Sequence, residues 1–305
     1  NRNHTAHPIP PAVPTISRTA LLSALAATVL FGSVPACIRL VNLDSIAIGI
    51  VRLVLGALGM AAIMACQRRS SLGAFRAMLR REWRVLTANG LLFGLHWLTY
   101  FLSIKHSSAS IGTVGFSTYG AQLPLLGWAL GFGRPTGRAL VGVALAFVGT
   151  WLCLPSYELS ELWQGPTAIG LAIGIASGTT YAFLPLLHQR HSHMDHETRT
   201  WAQFPLALPL FLPLAPWATW SFSMADLLLM IHLGLVVTLI GHYLWVKATT
   251  ELPIETTSIL SYLQLPVTLA MNWLIVAEVL TLPMLAGAAL IVSANALALG
   301  WRSRV

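Results

Sequence analysis

The chain is poor in charge. Asp, Glu, Lys and Arg together make up 9% of its 305 residues, where a soluble globular domain carries about 25%. A water-soluble enzyme of this size could not cover its surface with so few charged groups, so that class is excluded. Cysteine is scarce too. Cys37, Cys66 and Cys153 each sit in an apolar run, with no CxxC or Cys/His metal spacing, which excludes a disulfide scaffold and a zinc-finger site. The ten acids all fall at or near the ends of apolar stretches, so no carboxylate stands at mid-span to carry a proton. HExxH, GxSxG, a phosphate loop and paired mid-span carboxylates are all missing. That weakens the reading of an intramembrane enzyme, which would have to use His96 or His242 as its base. No cofactor is called for.

What is present is apolar. The hydrophobic share is 56% and the mean hydropathy +0.71, far above any disordered composition. Ten apolar stretches follow a Pro-rich, polar tail at 1–18: Thr19–Leu40, Ile46–Cys66, Val85–Ile104, Ser108–Phe132, Gly137–Leu154, Thr167–His188, Thr200–Trp220, Leu227–Ala248, Leu252–Ala277 and Thr281–Trp301. At about 20 residues per crossing they predict ten transmembrane helices, an all-α polytopic fold. The tail has no apolar segment before a cleavage site and reads as flexible and cytoplasmic rather than as a signal peptide. With both termini on one side, 15 of the 18 Lys and Arg residues share that side, and the positive-inside rule makes it the cytoplasmic side. The net charge of +8 is therefore an orientation signal and calls for no nucleic-acid partner. The expected partners are a small-molecule substrate and the lipid bilayer, with the chain a monomer or weak dimer. The Arg68–Arg84 run, interleaved with Leu72, Phe75, Leu79 and Trp83, reads as an interfacial helix attracted to anionic lipid.

The chain repeats itself. Gln122-Leu123-Pro124-Leu125 recurs as Gln264-Leu265-Pro266-Val267, and Leu140–Leu145 as Leu285–Leu290; Tyr100 matches Tyr243 and Gly32 matches Gly178. The offsets run only from 142 to 146 residues. Two five-helix halves, 19–154 and 166–301, follow, joined by a periplasmic linker at 155–165 and ending in a cytoplasmic 302–305. An odd number of spans per half means the halves cross in opposite senses, the inverted-repeat architecture of alternating-access transporters.

Polar and aromatic side chains inside the spans mark the candidate pathway, because such groups are costly unless they face a partner or a wet cavity. The candidates are His96, Trp97 and Tyr100 in the third span; Tyr119 and Gln122 in the fourth; Tyr181 in the sixth; and Ser258, Tyr262 and Gln264 in the ninth. His96 and Tyr100, four apart, share a helix face. Rings and hydroxyls of this kind suit a zwitterion with an apolar or aromatic side chain; interhelical packing is the alternative. Pro124 and Pro266, at matching depths, read as paired hinges or as static kinks. Arg52 either attracts a substrate carboxylate or caps carbonyls and pairs with Asp44 or Glu278, a structural or gating role it would share with Glu278. Proton coupling, if any, would fall to His96, His232 or His242. His188, His191, His193 and His196 with Asp195 read as a flexible loop in preference to a metal site or pH sensor.

The order Tyr243, Pro253, Pro266, Glu278, Gly287 in the second half, with Arg52 in the second span, resembles the drug/metabolite transporter superfamily, specifically its EamA-type ten-helix exporters. The first half departs at Gly133, which stands where the repeat would place a partner of Glu278. The segment His96-Trp97-Leu98-Thr99-Tyr100 resembles the aromatic amino acid exporters of that branch. The resemblance implies export of amino acids, aromatic and other apolar ones favoured, or of related metabolites, without ATP hydrolysis by the chain. A multidrug, quaternary-cation or nucleotide-sugar-type transporter of the same fold is the alternative.

Overall fold

A computed structural model describes residues 17–67, 72–107, 109–154 and 165–300; the expected tail, most of the linker and the extreme C-terminus lie outside them. Among the described residues every regular element is helical. The first half contains α1 (Arg18–Gly32), α2 (Val34–Leu40), α3 (Ser45–Gln67), α4 (Leu72–His106), α5 (Ala109–Ser117), α6 (Tyr119–Ala129) and α7 (Gly137–Leu152). The second contains α8 (Gly165–Arg190), α9 (His196–Phe211), α10 (Met224–Ile231), α11 (His242–Glu251), α12 (Ile254–Ser261), α13 (Gln264–Val276) and α14 (Leu282–Gly300). A 3₁₀ turn, Leu212–Trp217, continues α9 through its prolines, and a π-helical stretch, His232–Gly241, joins α10 to α11. Among the described residues, seven helical segments are long and apolar enough to cross a membrane, the first being α1 and α2 run together, Arg18–Leu40. Leu58, Ile169 and Leu274 stand exposed, an apolar surface suited to lipid.

The halves interlock symmetrically. In the second half α8 packs on α4, α5 and α6 of the first; conversely α1 packs on α11, α12 and α13, while α3 pairs with α9 and α7 with α14. The matched glycines explain how close these crossings are. A Cβ on Gly178 would lie 2.7 Å from the Phe116 carbonyl oxygen, and one on Gly32 would lie 3.2 Å from the Thr268 backbone nitrogen. Small residues let membrane helices meet at backbone distance.

The spans that carry Pro124 and Pro266 each tighten into a short turn: α5 stops at Ser117 and α6 starts at Tyr119, and α12 stops at Ser261 and α13 starts at Gln264. Thr118, Tyr262 and Leu263 keep right-handed helical dihedrals, and their amides bond three residues back, to Gly115, Ile259 and Leu260. Each turn precedes its proline by one to two turns of helix, where the missing N–H and the ring disturb the hydrogen-bond ladder. The carbonyl of Gly120, four residues before Pro124, accepts the Ser258 hydroxyl from the other half. The neighbouring helix thus satisfies the group that proline frees.

The two ends of the bundle differ. At the end with few basic residues, acids tie loops together. Arg39 pairs with Glu278 at 3.0 Å, and the Asp226 carboxylate accepts the Asn42 amide at 2.8 Å and closes a capping box with Ser223. Asp44 caps α3 through the amides of Ile46 (2.8 Å) and Ala47 (3.0 Å) and also accepts the Thr219 amide. At the basic end a buried polar network joins α4, α8, α9 and α11. Arg199, 1% exposed, donates to the His188 carbonyl (2.6 Å) and the Thr250 hydroxyl (2.9 Å). Asn89 donates to the Arg199 carbonyl, and the Gln203 amide lies between Asn89 and His188. His188 is 1% exposed, so the histidine segment is not the wholly flexible loop its composition suggests.

Candidate functional site

α4 packs against α5, α8 and α9 and turns one broad aromatic face inward, because residues three and four apart share a helix face, while Leu91, Leu95 and Leu102 on its opposite side are exposed. One part of the aromatic face carries His96 and Tyr100. The His96 ring stacks on Phe116 at 4.7 Å and meets Tyr181 at 4.5 Å; Phe116 in turn stacks on Tyr119 at 4.8 Å. Tyr119 and Tyr181 meet edge to face at 5.0 Å. Nδ1 of His96 and the Ser177 hydroxyl are 2.8 Å apart, and that hydroxyl also reaches the His96 carbonyl at 2.9 Å. The Tyr100 hydroxyl shares a 3.0 Å hydrogen bond with Thr113. Helices α4, α5, α6 and α8 thereby build one ring cluster from both halves of the chain.

The rest of that face of α4 carries Phe93, Trp97 and Phe101. Phe93 meets the His242 ring of α11 at 4.8 Å, and Phe31 of α1 meets it from another side at 4.8 Å. Over the Trp97 ring, 4.2 Å from its centroid, sits the guanidinium carbon of Arg52. Its Nε–H donates to the Thr238 hydroxyl at 2.9 Å, and Thr238 donates to the Leu233 carbonyl five residues back, the spacing of the π-helical stretch. π-Helical segments occur disproportionately at functional sites.

The expected residues fall into three groups. His96, Tyr100, Tyr119 and Tyr181 form the ring cluster, and Trp97, buried at 5% exposure, lies behind it with Arg52. Ser258 and Tyr262 lie at the crossing of the two Pro-bearing spans: Ser258 holds the Gly120 carbonyl, and the Tyr262 ring packs where a Cβ on Gly120 would be. Gln122 turns back to donate to Thr118 at 2.8 Å, and Gln264 is half-buried at the start of α13. The acid partners considered for Arg52 are engaged elsewhere, Glu278 with Arg39 and Asp44 as a helix cap, so Arg52 does not pair with them. Phe93, Phe116, Ser177, Thr238 and His242 complete the two clusters. Phe93 lies four residues before Trp97 and could have been read from that spacing; Phe116 lies in an apolar run that gives no such sign.

Two further features lie near the basic end. A cavity of about 1070 Å³ opens between α6, α7, α12 and α14, lined in part by Arg134, Glu255 and Pro124. The donor atoms of Glu82, His191 and His193 lie within 4.8 Å of one another, with the Glu82 carboxylate also engaged by Arg81 at 3.1 Å.

Comparison with known proteins agrees with this architecture. The model of the EamA-like transporter family matches the chain twice, over residues 18–154 and 168–300. A curated protein of Synechocystis sp. (strain ATCC 27184 / PCC 6803 / Kazusa), described as an uncharacterized transporter, is 30% identical over 166 residues, 53% of this chain and 50% of its own length. The match thus spans about half of that relative. A solved structure described only as the crystal structure of a protein superposes with a TM-score of 0.79, covering 93% of this chain and 98% of that one at 16% identity, which establishes the shared fold.

Proposed function

Starting from the premise that the chain belongs to the EamA-like transporter family, we propose that it is a secondary exporter of amino acids, with aromatic and other apolar ones favoured, working by alternating access in a bacterial inner membrane. The observation that carries this reading is the ring cluster of His96, Tyr100, Phe116, Tyr119 and Tyr181, which both inverted halves build inside the bundle. Aromatic faces bind an aromatic side chain by stacking and an ammonium group by cation–π attraction, and the Tyr100 and Tyr119 hydroxyls add polar handles. The basic end faces the cytoplasm under the positive-inside rule. The network of Arg199, Asn89, Gln203 and His188 is then the inner gate, and Pro124 and Pro266 are the hinges about which their spans move.

Transport needs no chemistry at the substrate. The halves rock, the rings release one face of the ligand as the other opens, and the tight turns at Thr118 and Tyr262, next to the prolines, absorb the bending. The test is tolerance of a toxic aromatic analogue. Cells expressing the chain are expected to grow at fluorophenylalanine concentrations that arrest control cells, and His96→Ala and Tyr181→Ala are expected to remove that tolerance at equal membrane abundance. Tolerance unchanged by expression would reject the reading.

A further inference from the structure

Arg52 poses a problem that the ring cluster alone does not solve. It is 4% exposed and eight residues into α3 from Asp44, inside a bundle where a charge is costly unless paired. Among the described residues no carboxylate lies within ion-pair distance of it, and its one hydrogen bond is the Nε–H donation to Thr238. The contrast with Arg199, also buried, is direct: that guanidinium has the His188 carbonyl and Thr250 as acceptors. Arg52 instead keeps its fork of terminal N–H groups without an acceptor among the described residues, while Trp97 below and Thr238 beside it fix the plane. A planar fork held in this way matches a carboxylate bidentately.

We propose that Arg52, seated on Trp97 and tied to Thr238, is a carboxylate subsite that selects substrates bearing an α-carboxylate next to an aromatic or apolar side chain. This rests on the exporter reading above and sharpens it. Trp97 is the residue after His96, so the carboxylate subsite and the ring cluster are neighbours on α4, and an amino acid would place its carboxylate on one and its side chain on the other. A fixed buried cation also repels quaternary ammonium compounds and simple aryl amines, which the rings alone would accept. A phosphate dianion fits less well, because Arg52 is the one buried cation of this cluster and a dianion would need a second.

The test uses purified full-length protein in detergent and reads the thermal unfolding midpoint against ligand concentration, so it needs no flux. The probes are L-phenylalanine, 3-phenylpropanoate, which lacks the ammonium, and phenethylamine, which lacks the carboxylate; phenyl phosphate is the anion control. The wild type is expected to bind both carboxylates about 10- to 100-fold more tightly than phenethylamine, the range expected of a charge-assisted hydrogen-bonded pair. Arg52→Gln is expected to abolish that preference, and Arg52→Lys, which keeps the charge but loses the fork, to retain part of it. Equal binding of phenylalanine and phenethylamine by the wild type would overturn the proposal. So would an Arg52→Gln protein that keeps the carboxylate preference, or a wild type that favours phenyl phosphate. Should Arg52→Gln fail to fold, the wild-type ranking and Arg52→Lys still decide. Carboxylate-selective binding without transport would reject the exporter reading alone and leave the subsite standing.

Discussion

At the scale of single residues, Tyr100 separates transport from stability. Its ring is half-buried at the edge of the cluster and its hydroxyl shares a hydrogen bond with Thr113. Tyr100→Ala is expected to reduce transport at least tenfold while costing ~1–3 kcal/mol, less than a fully buried aromatic truncation. Transport and thermal midpoint measured on the same preparation check this, and a stable, fully active Tyr100→Ala would take Tyr100 out of the pathway. Asp44 gives a pH signature at the opposite level. Burial alone would raise its carboxyl, but the amides of Ala47, Thr219 and Ile46 hold it below its ordinary value. A lowered folded-state value means that the stability it confers is present above the unfolded carboxylate range and is lost as pH falls through the folded value. The thermal midpoint is therefore expected to fall below about pH 4, and less steeply in Asp44→Asn. His96 and Tyr100 were legible in the sequence because two polar aromatics four apart in a span share a face. Phe116 and Thr238 were not: a phenylalanine in an apolar run is indistinguishable from core, and nothing in the residues of His232–Gly241 announces a π-helical register.

At the scale of elements, the Pro-bearing spans carry the argument. Both prolines were visible in the sequence, as was their matched depth, and each span tightens into a short turn near Thr118 or Tyr262 while staying right-handed helical. What the sequence did not show is the group that answers the carbonyl freed by Pro124: a freed carbonyl inside a membrane needs a partner, and Ser258 of the other half supplies it at Gly120. That contact depends on tertiary packing, which local sequence does not encode. Ser258→Ala is accordingly expected to cost ~1–3 kcal/mol, the penalty of a buried acceptor left without a partner, read as a lower unfolding midpoint. Pro124→Ala restores a backbone donor within α6 and is expected to leave stability unchanged or higher while slowing turnover, if the turn is a hinge. An unchanged transport rate in Pro124→Ala would make it a static kink.

At the scale of the whole molecule, the inverted repeat was the most legible feature, since offsets of 142 to 146 residues connect four features in order, and the family model matches two consecutive segments. The interlocking of the halves was not legible, because pairings such as α8 on α4 join positions whose partners no single sequence reveals. The two buried arginines make a stability contrast. Arg199→Gln breaks the network of the basic end and is expected to lower the unfolding midpoint clearly, whereas Arg52→Gln removes an unpaired buried charge and is expected to leave it unchanged or raise it. A destabilised Arg52→Gln would point to a structural role. The central claim is that aromatic, carboxylate-bearing solutes pass between the halves through the α4 cluster. It is tested most directly by efflux of radiolabelled L-phenylalanine from proteoliposomes holding the purified chain. Efflux is expected well above that of empty vesicles, and strongly reduced in Tyr100→Ala and Arg52→Gln at equal protein content; efflux indistinguishable from empty vesicles, or unaffected by both substitutions, would rule this pathway out.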